Sequence, residues 1–455
     1  MSRSAHSRWD LLTRLNDACR VNSMIPAHNK TANLLYMGAS DSGILNHFRC
    51  RDRATTPGSC ASPCQETPRY WVNVPAVTIT AIATRSVGRT SMPKVSLCVP
   101  DDLGPTELAR WRQLQRADPR LHNAFLAPEF ALVLGRHRRD VRVAVIEDSS
   151  GIVGFFPHHR GRLGIGRALG YGLADGQGIV HTADLEWNPS ELLARCGLAV
   201  WEFDELLAHQ LDAFQPRRAA VEPAPFIDLS PGWDKWLQSK RTESSTVKTV
   251  QRKHRKLDRE LGDVVFEFDS KRPEHLSLLM RWKSQQYRRT GRSDRFARPW
   301  FVAAFEELTH LATADFSGVL SVLTVGGRPV AMEHALCNNG VLSHWFPTYD
   351  VRLSPYSPGL VCTFEFIRTA AERDMKQINL GKGYARYKEI LKDGEHSVAE
   401  GSVERPTPVA TLRRLQQGPP RGVRDFVLAR PKLRQMARTA LQDLGRIRTA
   451  MRNQL

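Results

Sequence analysis

Between Gly318 and Pro347 the chain reverses direction twice, and both reversals are written in residues that accept positive φ: Gly326-Gly327 and Asn338-Asn339-Gly340. Tight turns of that kind match the twist of the strands they join. Gly318–Val325, Arg328–Cys337 and Val341–Pro347 are therefore expected to form a three-stranded antiparallel meander. A meander needs helices over its faces, and the chain continues accordingly. After Tyr356-Ser-Pro-Gly359, the residues Leu360, Phe364, Ile367 and Ala371 recur at helical spacing, and Ile378-Asn-Leu then reads as a short strand. Ser357 is expected to cap that helix and Pro358 to occupy its first turn, where no N–H is lost. Gly359 leaves the neighbouring N–H groups sterically open. Such a helix start favours an anion such as a pyrophosphate, although a plain capped helix is the simpler alternative.

The rest of the second half reads as a long helix Trp233–Leu261 broken near Thr242–Ser245, a strand Val264–Phe268, and helices Pro273–Thr290 and Pro299–Ala312. The first half is a shorter version of the same pattern. Helices are expected in 105–137, then a hairpin Val141–Ile146 and Ile152–His158, a basic Gly-rich loop GRLGIGRALGYG at 161–172, a helix Ser190–Gly197, and strands Val200–Phe203 and Pro225–Leu229. The fold class is α/β (α+β): two related units in tandem, 92–225 and 226–405, each a mixed, mostly antiparallel sheet flanked by helices. No helix start like Ser357-Pro358-Gly359 is visible in the first unit, so its cofactor site is expected to be lost.

Two flanking regions differ in composition. Residues 1–91 hold eleven Lys/Arg against five Asp/Glu, with many Ser, Thr and Pro and one strand-like stretch, Tyr70–Ile82. They read as a disordered extension, or as untranslated sequence if Met92 is the start. Residues 406–455 carry eleven Lys/Arg against two Asp/Glu and read as a basic helical tail. Over the 455 residues the net charge is +18, which suggests anionic partners without choosing among nucleotides, nucleic acid, glycans and membrane. The basic helix at 248–259 and the tail could meet RNA or an anionic membrane, but no aromatic residue interleaves the helix to stack bases. No run approaches ~18 apolar residues and no secretory signal is visible, so a cytoplasmic protein, at most peripheral to the inner face of the membrane, is expected. The eight cysteines show no zinc-ribbon spacing, and His158-His159 has no companion ligand, so no metal is expected.

A set of short motifs in fixed order carries a resemblance. In the first half these are V-G-F-F-P (153–157) and L-A-D-G-Q-G (173–178); in the second, R-K-H-R-K-L (252–257), G-R-P-V-A (327–331), Y-D (349–350), S-P-G (357–359), I-N-L-G-K-G (378–383) and Y-K (387–388). Over roughly residues 95–410 the chain resembles the CelD/BcsL-type, BioF2-like and FemAB-like branch of the GNAT acyltransferases. That resemblance implies two GNAT-like domains, an acyl donor such as acetyl-CoA with its pyrophosphate on the Ser357–Leu360 helix start, and an acceptor amine or hydroxyl on a sugar or envelope precursor. The usual Gln/Arg-x-x-Gly-x-Gly/Ala loop is replaced here by Pro355–Gly359. A FemAB-like transferase using aminoacyl-tRNA, and a silent scaffold of a polysaccharide synthase, are the alternatives.

Direct acyl transfer needs a base for the acceptor's proton and an acid for the leaving group. Glu333 and His334, on the middle strand of the meander, are candidate bases. Tyr384 and Tyr387 are candidate acids. Neighbouring strand residues face opposite ways, so at most one of Glu333 and His334 can face the cleft; His344 and Trp345 share that ambiguity. Ser357, Pro358, Gly359 and Leu360 are the candidate donor-binding residues. Lys382 and Lys388 are candidates for holding an anionic group of the acceptor, the plain alternative for Lys388 being a solvated lysine beside Lys392 and Asp393.

Overall fold

The structure, a computed structural model, describes residues 93–416 apart from Tyr384. The extension 1–91, with its expected strand at Tyr70–Ile82, and the tail from residue 417 lie outside the described residues. The first half runs β1 (Lys94–Cys98), α1 (Pro105–Ala117), α2 (Pro128–His137), β2 (Val141–Asp148), β3 (Gly151–Arg160), β4 (Ile165–Ala168), β5 (Val180–His181), α3 (Pro189–Arg195), β6 (Val200–Leu207), α4 (Leu211–Phe214) and β7 (Arg218–Asp228). The second half runs α5 (Trp233–Glu243), α6 (Thr246–Leu261), β8 (Val264–Glu267), α7 (Pro273–Arg289), α8 (Pro299–His310), β9 (Phe316–Val325), β10 (Arg328–Asn338) and β11 (Val341–His344). It ends with β12 (Thr348–Tyr349), α9 (Pro358–Glu372), β13 (Gln377–Asn379), α10 (Arg386–Leu391) and β14 (Gly394–Glu404).

One sheet passes through both halves in the order β1-β2-β3-β4-β6-β14-β7-β13-β11-β10-β9-β8. Only β4/β6 and β11/β13 are parallel along this path. Each half therefore contributes an antiparallel meander that ends on a parallel pair. Beyond that pair the halves exchange strands. β14, from the end of the second half, lies against β6; β7, from the end of the first, lies against β13; and β7 and β14 pair with each other. The boundary expected at 225/226 falls inside β7.

The meander turns form as their residues dictate. Gly326 and Gly327 have φ of 55° and 76°, and Asn339 and Gly340 have 50° and 76°, giving two-residue loops in which Val325 pairs with Arg328 and Asn338 with Val341. The third strand stops earlier than expected. After His344 the N–H groups of Trp345 and Phe346 both turn to the His334 carbonyl, at 2.8 and 3.1 Å. The long basic helix breaks at Ser244-Ser245 into α5 and α6. Within the Gly-rich stretch expected as a flexible loop, Ile165–Ala168 form β4, held by β3 on one side and β6 on the other.

The sheet's alternation sorts its residues into two layers. One face of β9 and β10, with Phe316, Leu320, Met332 and Leu336, packs with Phe301 and Phe305 of α8 and with Trp111, Phe125 and Phe130 from the first half. The other face, with Val319, Leu323, Ala331 and Ala335, lies under Val250 and Leu257 of α6 and Val361, Phe366 and Ile367 of α9. Each buried Val, Leu, Ile, Met or Phe among them contributes about 1.5–3 kcal/mol by leaving water. The site is built on the second face.

Candidate active site at the parting of two strands

β11 and β13 pair as far as Ser343 and Asn379 and then separate. Trp345 turns back to β10, while the Leu380 N–H goes the other way, to the Pro225 carbonyl of β7 at 2.9 Å. Two adjoining cavities, the arms of the site, lie beside the gap. One arm is lined by Trp282, Gln286 and Arg289 of α7 with Glu333, Tyr349, Gly359 and Thr363. The other is lined by Asp175, Lys283, Arg292, Arg295, His344 and Lys388. Pro347 and Tyr387 line both.

The helix start does not form as expected. Ser357 sits in the left-handed region at φ 54°, ψ 50°, and its side chain makes no capping bond. A capping hydroxyl acts from extended backbone, and here the backbone is committed differently. The 3₁₀ segment Val351–Tyr356, capped by the Asp350 carboxylate on the Arg352 N–H at 3.0 Å, runs directly into α9. Ser357 links them, its carbonyl accepting from Leu360 and Val361 at 3.1 and 3.3 Å. Pro358 has no N–H, so the free N–H of the first turn is that of Gly359, which has no partner among the described residues. Gly359 is buried and faces the first arm; Leu360 does not line it.

Strand alternation decides between Glu333 and His334. Glu333 faces the cleft, with the Thr363 hydroxyl donating to its Oε1 and His344 Nε2 lying 3.1 Å from its Oε2. The three side chains are almost fully buried. His334 points into the opposite layer, against the Phe305 ring and 3.0 Å from Thr309 Oγ1. Burial pushes its pKa down to about 3, and the structure leaves it outside the cleft. His344 reaches Glu333 because the Asn339-Gly340 loop sets it opposite Ala335 on the same face, diagonal to Glu333.

A split parallel pair, with a helix start in the split and a carboxylate beside it, agrees with what sequence comparison finds. Residues 244–389 match the family model described as an acetyltransferase (GNAT) domain. The second half of this chain carries a GNAT acyltransferase domain. Its chemistry therefore involves an acyl donor and an acceptor. Among solved structures the chain is similar to FemX, at 10% identity and TM-score 0.47, with 67% of this chain and 98% of that one covered. It is also similar to L-PGS from Bacillus licheniformis, at 13% identity and TM-score 0.44, covering 68% and 95%. A tandem GNAT protein from the clavulanic acid biosynthesis pathway is similar at 9% identity and TM-score 0.41, covering 69% and 100%. No curated protein matches the chain.

The remaining candidates of the GNAT domain are placed as follows. Tyr384 lies outside the described residues. Tyr387 and Lys388 stand on the short helix α10. Burial pushes the Tyr387 hydroxyl well above the ordinary tyrosine range, and the Glu333 and Asp175 carboxylates raise it further. Lys388 is buried, not solvated. Its Nζ donates to the Gly381 and Lys382 carbonyls at 2.9 and 3.1 Å, and burial brings its pKa down to about 8. Lys382 faces the first half, donating to the Asp204 carbonyl at 2.5 Å and lying 3.3 Å from Glu205. There the L-A-D-G-Q-G and I-N-L-G-K-G motifs meet. Gly381, at φ 70°, allows the approach, since a Cβ on it would stand 2.7 Å from Asp175 Oδ2. Burial raises both the Asp175 and Glu205 carboxyls, and the Asp175 charge raises Glu205 further.

Sequence reasoning missed Lys283, Asp175 and Thr363. The turn register could have paired His344 with Glu333. Nothing local marks Lys283, which sits on an ordinary helical stripe. Among the described residues no group of three or more His, Cys, Asp or Glu could hold a metal ion, and no helix is long and apolar enough to cross a membrane.

Proposed function

We propose that this protein transfers an acyl group, most simply acetyl from coenzyme A, to an amine or hydroxyl on a sugar or envelope precursor. The Glu333–His344 contact carries the reading: a carboxylate in one arm and an imidazole in the other, 3.1 Å apart, beside the first turn of α9. The residues present fit a phosphate-bearing donor, since the Gly359 N–H and Arg289 share the first arm. The donor supplies the activated acyl carbon. The Glu333–His344 pair takes the acceptor's proton as the new C–N or C–O bond forms and the C–S bond breaks, and that proton then leaves on the thiolate. Tyr387 keeps its own proton and donates a hydrogen bond to the departing sulfur. On this reading the protein works in the cytoplasm, with its basic surfaces available to an anionic membrane.

A second reading, transfer from aminoacyl-tRNA, has one observation in its favour. Lys253 of α6 donates to the Pro355 carbonyl at 2.5 Å, and Lys256 lies over the Tyr356 ring at 4.9 Å. A basic helix thus flanks the donor helix start, where a phosphate backbone could run. Calorimetry of the full chain with acetyl-CoA and with charged tRNA separates the two. Heat with the coenzyme, lost in Gly359→Glu without a change in melting temperature, supports the first reading. Heat with tRNA alone moves the assignment to the second, and heat with neither rejects both.

A further inference from the structure

The basic Gly-rich stretch at 161–172 lines neither arm of the cleft. Its first turn is built against ordinary preference. Arg162–Gly164 form a 3₁₀ turn between β3 and β4, and Leu163 stands there in the left-handed region, at φ 58°, ψ 20°. Leu163 is also 74% exposed, more than any other large apolar side chain among the described residues. A leucine is unfavourable there on both counts, since its Cβ crowds the backbone and its isobutyl group stays in water. Asparagine or glycine would suit that backbone better. The turn cannot relax to hide the side chain. The Gly161 N–H donates to the Ile165 carbonyl at 3.0 Å, and the Ala199 N–H donates to the Gly164 carbonyl at 2.7 Å. A Cβ on Gly161 would stand 2.4 Å from the Ile165 carbonyl oxygen, and one on Gly164 2.9 Å from that of Gly197. Two required glycines thus close the turn and present Leu163 at its tip.

The same end of the sheet gathers positive charge. β2 begins where β3 ends, with Val141 opposite His159, and β3 ends where β4 begins, with Arg160 opposite Gly166. That register brings Arg139, Arg160 and Arg162 to the end of the sheet where Leu163 projects, and all three are exposed. Asp140 is engaged by Arg138 at 2.5 Å and by His159 at 3.3 Å, and the three exposed arginines form no ion pair among the described residues.

We propose that this end of the first half docks on an anionic lipid surface, with Leu163 entering the headgroup layer and Arg139, Arg160 and Arg162 meeting lipid phosphates. A lipid surface accepts both parts of the patch at once: guanidinium groups stay at the phosphate level while an apolar side chain leaves water just below it. A nucleic acid would answer the arginines alone and leave the strained leucine unexplained. The other basic surface, α6, lacks this second part, because Val247, Val250, Leu257 and Leu261 are all buried. Docking through the first half leaves the split half, which carries the cleft, free to receive its substrates. The proposal does not depend on the acyl-transfer reading.

Vesicle flotation of the full chain tests it without any acyl donor. The probes are vesicles of phosphatidylcholine alone and of phosphatidylcholine with an equal part of phosphatidylglycerol, at about 0.1 M salt, where screening acts over about 10 Å. The expected result is flotation with the anionic vesicles only. Arg162→Gln should weaken partitioning about fivefold, the weight of one basic side chain at such a surface. Leu163→Asn should weaken it at least threefold while its melting temperature equals or exceeds the parent's, because asparagine tolerates the left-handed backbone. Loss of binding in a variant that is no less stable cannot come from misfolding. No flotation with anionic vesicles, or flotation that both variants retain, overturns the proposal. Binding to tRNA that Arg162→Gln weakens and Leu163→Asn leaves intact, with no vesicle binding, also overturns it and makes the patch a nucleic-acid surface.

Discussion

The two halves share a plan and differ at the point where each could open. Both end a meander on a parallel pair, and both precede the second parallel strand with a helix that begins at a proline. In the first half the space beside β4 and β6 is filled. Phe156, Trp201 and Phe214 pack ring against ring at 4.7–6.0 Å, with Trp187 on Phe214 at 4.7 Å. The helix there, α3, has seven residues, and Asn188 caps it by accepting from the Glu191 N–H at 3.0 Å. In the second half α9 has fifteen residues and no side-chain cap, and the strands part around polar groups. The buried carboxylates repeat the contrast. Glu202 on β6 is clamped by Arg167 at 3.2 Å and Arg413 at 2.7 Å, which hold its pKa down against the cost of burial. Glu333 instead meets a hydroxyl and an imidazole, groups whose protons can move. Filling one half and splitting the other turns a repeated fold into a support and a site.

The comparison breaks most readily at those carboxylates. Glu333→Gln should lower kcat by roughly 10²–10⁴, the usual weight of a positioned general base, with the far-UV spectrum and melting temperature kept. Glu202→Gln should reduce stability and leave kcat alone. Equal rate losses in both would mean that the first half takes part in the chemistry. Next in size is the filled core. Trp201→Ala removes a fully buried indole and should cost about 3–5 kcal/mol in denaturant unfolding. A much smaller cost would mean that the first half can open as the second does.

Much of this architecture could be read from residues. The glycine and asparagine turns determined the meander and the register of β10 with β11, whereas the register of β9 with β10 shifts by one residue between Pro329 and Ala331, which the turn does not announce; the stripe in α9 follows its apolar spacing, although Leu360 and Ala371 are only partly buried. What escaped depends on distant pairing. β14 was not anticipated, because Gly394–Glu404 is polar on much of its length and becomes a strand only between β6 and β7. The exchange of β7 and β14 leaves no local mark. Ser357 reads as a cap by residue type, but the preceding 3₁₀ turn imposes a backbone on which it cannot act. Lys283 and Asp175 lie more than a hundred positions apart, and only the folded sheet brings them to one cavity.

The seam between the halves gives a pH-dependent prediction. Folding raises the Glu205 carboxyl above its unfolded value, so its contribution is fully present below about pH 4 and declines as pH rises through the folded pKa, near 9. Glu205→Gln has no proton to lose. Relative to the parent it should gain stability steadily from about pH 5 to pH 9. Lys382, 3.3 Å away, resists this by favouring the charged form. A stability difference that is flat with pH would show that Lys382 keeps Glu205 ionised, and that the seam is an ion pair and not a protonated contact.

The smallest expected effects come from the two helix starts, and they test the comparison most directly. Asn188→Ala removes the cap of α3 and should cost about 1 kcal/mol, with activity unchanged. Ser357→Ala at the start of α9 removes a hydroxyl that makes no capping bond, so the change should stay within about 0.5 kcal/mol. Ser357→Gly should stabilise slightly, because glycine adopts φ 54° without the Cβ penalty a serine carries there. Denaturant midpoints at constant m-value resolve differences of this size. If Ser357→Ala costs as much as Asn188→Ala, the serine does cap α9 in solution. The Gly359 N–H would then lose its standing as the open donor of that turn, and the two helix starts would be alike in the one feature that now separates a closed half from an open one.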